Sequence, residues 1–158
     1  GIFKDAVKEA QKKYPEVTVD DLHIDAATMQ LIKQPEIYDV MVTTNLFGDI
    51  ISDEAAQVTG SLGFAAGANI GETYGMFEPV HGSAPKYTGM NRVNPIATIL
   101  AGAMMLDWLG EKAAAAKIET AVLNVLKEGK VRTHDLGGQA KGTEITDAIV
   151  EKIKSAKA

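Results

Sequence analysis

Residues 38 to 43 constrain the fold most, because this run is mainly apolar, contains β-branched residues and is too short for a helix. It predicts a buried strand that leads into a helical pattern carrying Asp49 and Asp53. Residues 17 to 22 predict an earlier strand, followed by a helix over 26 to 33 that Asp25 could cap. This order of strand, helix, strand and helix favours an α/β architecture.

The rest of the chain is predicted to contain further helices separated by a glycine-rich stretch. Glycines at positions 60, 63, 67, 71 and 75 indicate loops. Short strands are expected there at 64 to 70 and 76 to 80. Helices are expected at 2 to 13, 96 to 109, 111 to 127 and 143 to 154. The helix over 96 to 109 is so apolar that we expect it to be fully buried.

Composition is that of an ordinary globular protein. The chain has 158 residues, 46% of them apolar and 23% charged, enough for one sizeable core. A net charge of −5, with sixteen dispersed Lys and Arg residues, argues against a nucleic-acid partner. There is no apolar run long enough to span a bilayer and no signal-peptide pattern. We therefore expect a soluble, cytoplasmic protein without membrane contacts.

The chain contains no cysteine, which excludes disulfides and thiolate metal sites. It opens at Gly1 directly into a helical pattern without a methionine. We expect that it is part of a longer protein, although removal of a tag or renumbering would give the same start.

Asp49 and Asp53 are spaced i and i+4, which places their Cβ atoms about 5–6 Å apart on one helical face. Two like charges at this spacing repel each other unless a cation lies between them, and a divalent cation with oxygen ligands is the simplest candidate. A third carboxylate, Asp25, lies at another junction between an apolar strand-like run and a helical pattern. The alternative is that Asp49 and Asp53 are solvated first-turn carboxylates and that Asp25 is only an N-cap.

Other motifs are weak. No G-x-G-x-x-G follows a strand, so a Rossmann site is not supported. The run from Gly137 to Thr143 has its lysine on the wrong side of the second glycine for a phosphate loop. The three histidines, at 23, 81 and 134, lack metal-ligand spacing, and nucleophilic catalysis is not indicated.

Taken in order, the segments resemble the C-terminal half of the β-decarboxylating dehydrogenases, which act on isocitrate, isopropylmalate or homoisocitrate. The resemblance covers essentially the whole chain. It is carried by Asn-Leu-Phe-Gly-Asp-Ile-Ile-Ser-Asp at 45 to 53, Gly-Ser-Leu-Gly at 60 to 63, Phe-Glu-Pro-Val-His-Gly-Ser-Ala-Pro at 77 to 85 and Asn-Pro at 94 to 95.

This resemblance implies a partial isopropylmalate-dehydrogenase-like α/β fold. Residues 1 to 59 would form part of a small dimerisation and metal-binding domain. Residues 60 to 158 would form the C-terminal part of a large nucleotide-binding domain. By the same resemblance, Asp25 serves the neighbouring subunit's site and the helices after Asp25 and through Asp49 pack at a dimer interface, which implies a homodimer.

The resemblance also implies the site residues. Asp25, Asp49 and Asp53 would bind Mg²⁺ or Mn²⁺, which chelates the substrate's 2-hydroxy acid group. The residues implied in binding NAD or NADP are His81, Gly82, Ser83, Ala84, Pro85, Lys86, Tyr87 and Asn94. Lys86 and Tyr87 favour the 2′-phosphate of NADP, whereas the segment His134 to Gly138 is more like that of NAD-using relatives, so the cofactor stays open.

The function implied is oxidative decarboxylation of isocitrate to 2-oxoglutarate with reduction of NAD(P), with isopropylmalate and homoisocitrate as alternative substrates. In the family, the catalytic Tyr and Lys lie upstream of a segment resembling residues 1 to 4. We therefore expect no catalytic residue in this chain and no activity from it alone. A different hypothesis is a non-enzymatic cation-binding or dimerisation module.

Overall fold

A computed structural model describes residues 1 to 156. The chain divides into two compact units, Gly1–Val58 and the part from Thr59 onward. No helix within the described residues is both long and apolar enough to cross a bilayer.

The first unit is helical. Its helices are α1 (Ile2–Gln11), α2 (Ile24–Lys33) and α3 (Asn45–Val58), with a 3-10 turn at Pro35–Ile37. The contact between α2 and α3 buries a small core of Ala27, Leu31 and Ile51. The helix α2 ends just before Pro35, because the proline ring cannot continue a helix. The apolar side of α1 has no buried residue in this unit.

The strands predicted at 17 to 22 and 38 to 43 are wrong, because both segments are irregular. A strand is stable only when a neighbouring strand accepts and donates its backbone hydrogen bonds, and residues 1 to 58 contain no such neighbour. The apolar side chains of these segments are accordingly exposed, with Val40 79% and Val42 68% accessible. The predicted order of alternating strands and helices is therefore not seen in the first unit.

The second unit begins with an antiparallel hairpin, β1 (Ala66–Ile70) and β2 (Gly75–Pro79), in which Ala68 pairs with Phe77. Both strands were predicted from sequence, with slightly different ends. Gly75 permits this hairpin, because a Cβ there would lie 2.8 Å from the Phe77 ring. The hairpin packs against the helix that follows it.

Three helices complete the second unit: α4 (Ile96–Trp108), α5 (Lys112–Glu128) and α6 (Gly142–Ser155). All three were predicted within one or two residues. Their apolar faces enclose the larger core, formed by Ile96, Ala121, Val122, Val125, Ile145 and Ile149. The prediction that α4 is fully buried is wrong, because Met105 and Trp108 are 42% and 39% exposed in this unit.

Candidate metal and nucleotide sites

Asp49 and Asp53 both lie on α3, so the predicted spacing on one helix is confirmed. The alternative of two first-turn carboxylates is wrong, because α3 begins at Asn45 and its first turn carries no acidic residue. Both side chains are exposed. Asn45 Nδ2 donates to Asp49 Oδ2 over 3.4 Å, which leaves most of the carboxylate oxygens open to a ligand.

Asp25 lies in the first turn of α2 rather than capping it, since the helix begins at Ile24 with His23 as its N-cap. Its Oδ1 accepts a hydrogen bond from the adjacent Ala26 N–H at 2.9 Å. The Asp25 side chain is exposed. Among the residues described, neither Asp25 nor the α3 pair takes part in an ion pair.

One copy of the chain does not gather these three carboxylates. No group of three or more His, Asp or Glu side chains within the described part of the chain is arranged to hold a metal ion. Exposed carboxylates are nevertheless the oxygen donors that Mg²⁺ and Mn²⁺ prefer. The α3 pair therefore fits a hard cation as part of a ligand set, and the remaining ligands would have to come from elsewhere.

The predicted nucleotide loop follows β2 and ends in a 3-10 turn at Pro85–Tyr87. It borders a cleft of about 320 Å³ within the second unit. The predicted residues that line the cleft are His81, Gly82, Ala84, Tyr87 and Asn94. Ser83, Pro85 and Lys86 are not among the lining residues.

The cleft also has walls formed by residues outside the predicted set of cofactor-binding residues. They are formed by Ser61, Gly63, Arg92, Val93, His134 and Asp135. The sequence contained a signal for some of them, because Ser61 and Gly63 belong to a Gly-Ser-Leu-Gly motif and His134 and Asp135 to a turn before α6. It did not show that these turns meet at one cleft.

His81 contributes a fixed ring to the cleft. Its Nδ1 lies 2.9 Å from the Gly82 carbonyl oxygen, which can only accept, so Nδ1 carries the proton in the neutral ring. Nε2 is then an acceptor, and this buried atom has no hydrogen-bond partner within the described residues. A ligand group that donates a hydrogen bond could satisfy it.

Asp135 joins three separate segments at the cleft. Its Oδ2 accepts hydrogen bonds from Ser61 Oγ at 2.8 Å and from Asn94 Nδ2 at 2.9 Å. Burial alone would raise the pKa of Asp135. Hydrogen bonding, which includes the bonds donated by Asn94 and Ser61, outweighs burial, so its pKa lies below the ordinary value.

Two cations lie near the Tyr87 ring. Lys86 Nζ is 4.8 Å and Arg92 Cζ is 5.7 Å from the ring centroid. Neither cation forms an ion pair with a carboxylate in the part of the chain described. Positive charge without a carboxylate partner suits an anionic ligand group such as a phosphate.

Comparison with known proteins identifies the class to which these features belong. Residues 1–152 match the family model of the isocitrate/isopropylmalate dehydrogenases. The chain therefore belongs to the isocitrate/isopropylmalate dehydrogenase family, a family of oxidoreductases, as the sequence resemblance predicted.

Individual relatives give the same result. The chain is 54% identical to the isocitrate/homoisocitrate dehydrogenase of Thermus thermophilus, over 98% of this chain and 46% of that protein. It is 45% identical to the 3-isopropylmalate/3-methylmalate dehydrogenase of Methanocaldococcus jannaschii, over 98% of this chain and 46% of that protein.

The crystal structure of isocitrate dehydrogenase from Methylococcus capsulatus superimposes with a TM-score of 0.94 at 46% identity, covering 98% of this chain and 46% of that one. This agreement confirms the predicted partial isopropylmalate-dehydrogenase-like α/β fold. The chain spans a little under half the length of these relatives.

Proposed function

We propose that this chain supplies the metal ligands and part of the nucleotide site of an enzyme that oxidatively decarboxylates isocitrate to 2-oxoglutarate and reduces NAD or NADP. The observation that carries the proposal is the 54% identity, over 98% of this chain, to a relative named for isocitrate and homoisocitrate. Homoisocitrate and 3-isopropylmalate are the alternative substrates, since relatives named for them also match.

The proposed metal ligands are Asp25, Asp49 and Asp53. Because one copy does not gather all three, we propose that Asp25 of a second copy completes the site around the α3 pair. The cation would be Mg²⁺ or Mn²⁺, and when bound it acts as a Lewis acid toward the substrate's 2-hydroxy acid group. The chain's own role is to hold oxygen donors on α3 at the spacing of one helical turn.

A homodimer follows from this arrangement and has separate support. Apolar side chains on α2 and α3 are exposed, with Met29 67%, Ile32 64%, Leu46 66% and Ile50 53% accessible. Exposed apolar side chains concentrated in this way are typical of protein interfaces. We propose that they pack against the same helices of a second copy.

The proposed nucleotide site is the cleft bordered by His81 and Asn94. The buried acceptor Nε2 of His81, the fixed Asn94 amide and the cations beside Tyr87 offer complementary groups for a base, a ribose and a phosphate. This arrangement suits the adenosine portion of NAD or NADP and does not decide between them. A cytoplasmic protein without nucleic-acid or membrane partners remains part of the proposal.

We propose that this chain is inactive alone, because in the family that it resembles the catalytic Tyr and Lys lie upstream of a segment similar to residues 1 to 4. The test is to measure reduction of NAD and NADP by the purified chain with Mn²⁺ and each of the three substrates. Binding of Mn²⁺ and of 5′-AMP is measured in parallel by calorimetry. We expect binding of both without turnover; turnover by the chain alone would overturn this assignment of catalytic residues.

The second candidate is a cation-binding or dimerisation module without enzymatic function, which the exposed apolar face of α2 and α3 favours. The two candidates differ in their ligands. A module binds Mn²⁺ or dimerises without binding adenosine nucleotides, and its Mn²⁺ affinity is unchanged by isocitrate. Tighter Mn²⁺ binding in the presence of isocitrate, together with 5′-AMP binding, supports the enzyme proposal.

A further inference from the structure

The side-chain amide of Asn94 is held at both ends. Its Oδ1 accepts a hydrogen bond from the Ile96 N–H at 3.0 Å, at the start of α4. Its Nδ2 donates to Asp135 Oδ2 at 2.9 Å. Asn94 is only 3% exposed, so water cannot readily replace either partner.

These two partners allow only one orientation of the amide. Rotation by 180° would place Nδ2 against the Ile96 N–H, two donors facing each other, and Oδ1 against the Asp135 carboxylate, two acceptors facing each other. Both hydrogen bonds would be lost in a buried place, where unpaired polar groups are costly. The hydrogen-bonding capacity left to this amide is chiefly its second N–H, which is a donor.

Asp135 is itself held by a second segment. Ser61 Oγ donates to the same Oδ2 at 2.8 Å and accepts from the Gly63 N–H at 2.9 Å. Gly63 packs so closely that a Cβ on it would lie 2.8 Å from Asp135 Oδ2 and 2.9 Å from Asn94 Nδ2. The carboxylate is thus fixed between two donors that come from different walls of the cleft.

We propose that Asp135 is a positioning residue, which together with Ser61 fixes the orientation of the Asn94 amide in the wall of the cleft and so keeps its second N–H available as a donor. The relevance to a nucleotide rests on the function proposed above. A bound adenosine nucleotide would present an acceptor, such as a ring nitrogen or a ribose oxygen, to this second N–H. The cleft is preorganised by this network before the nucleotide binds.

The test uses Asp135→Ala, Asp135→Asn, Ser61→Ala and the control Asp107→Ala, in which an exposed carboxylate on α4 outside the network is removed. The first measurement is made without a ligand, by NMR of the Asn94 side-chain ¹⁵N–¹H₂ group. In the unchanged chain and in Asp107→Ala, we expect two well-separated proton signals that exchange slowly with water. Asp135→Ala should bring the two signals together and accelerate exchange.

The second measurement is the affinity for 5′-AMP by calorimetry. Loss of a charge-assisted hydrogen bond predicts about tenfold weaker binding for Asp135→Ala. Asp135→Asn keeps an oxygen that can accept from both Ser61 and Asn94, so it should restore most of the affinity and the separated signals. A purely structural role would instead lower thermal stability without moving the Asn94 signals.

The outcomes are distinguishable. If Asp135→Ala leaves both the Asn94 signals and the 5′-AMP affinity unchanged while the chain stays folded, the inference is wrong. If the unchanged chain binds no 5′-AMP, the proposed nucleotide site fails, and the NMR measurement on the ligand-free protein still decides the positioning role of Asp135.

Discussion

Ser61 Oγ lies 2.8 Å from Asp135 Oδ2, although 74 positions separate the two residues in the sequence. This contact joins the turn before β1 to the turn before α6. The carboxylate accepts from a hydroxyl and an amide in its charged form, so the contact is strongest when Asp135 is ionised.

The first prediction concerns pH. The pKa of Asp135 is lower in the folded chain than in the unfolded chain, so the ionised carboxylate stabilises the fold. That stabilisation is complete above the unfolded value of about 3.9 and is lost as pH falls through the lower folded value. Urea unfolding between pH 2 and 7 should show this loss. Asp135→Asn should reduce the slope of the free energy of unfolding against pH. An identical slope in the variant would contradict the prediction.

The second prediction concerns Gly63. A Cβ there would press on both Asp135 and Asn94 at under 3.0 Å, so Gly63→Ala should lower the free energy of unfolding by about 1–3 kcal/mol, as overpacking typically does. Gly102→Ala is the matched control, because a Cβ at that helical position meets nothing within 4 Å. Urea denaturation of both variants is the measurement, and equal stabilities would exclude the tight packing described.

The third prediction concerns the metal. Asp49→Asn and Asp53→Asn should each weaken Mn²⁺ binding by at least about tenfold, a loss that even a partner of a metal ligand commonly causes. Asp25→Asn should have a similar effect, if a second copy supplies this residue to the site. Asp20→Asn, an exposed carboxylate outside the set, is the control. Calorimetry that gives the same affinity for all four variants would refute the assignment.

The fourth prediction concerns the interface. Ile50 is 53% exposed on α3, and Ile50→Glu should shift a dimer toward the monomer, because a charge would be buried against apolar side chains. Val150→Glu on α6 introduces the same charge at an exposed helical position of the other unit and should leave the oligomeric state unchanged. Sedimentation velocity at several concentrations distinguishes the two states. A dimer that persists in Ile50→Glu would place the interface elsewhere.

Sequence periodicity predicted the helices well, because each carries its own hydrogen bonds and an apolar face that repeats along the chain. The hairpin was predictable for a related reason, since its two strands are close neighbours in sequence. The segments at 17 to 22 and 38 to 43 show the limit of such reasoning. Their composition favours strands, but a strand also needs a partner, and composition does not reveal whether one is present.

The site was predictable to a different degree in each part. The i, i+4 spacing of Asp49 and Asp53 follows directly from helical geometry, and the structure places both on α3. The role of Asp135 could not be predicted, because its partners Ser61 and Asn94 are distant in sequence. Only folding of the second unit brings these three side chains together.

The pairing of Asp49 with Asp53 on α3 makes this helix sensitive to ionic strength. Two exposed carboxylates one turn apart oppose helix formation by a few tenths of a kcal/mol, roughly 0.2–0.5, when no cation is present. Dissolved salt screens this repulsion without occupying any specific position. Sodium chloride should therefore strengthen α3 slightly even in a chain that binds no divalent cation, and metal titrations of the first unit need constant ionic strength to be interpretable.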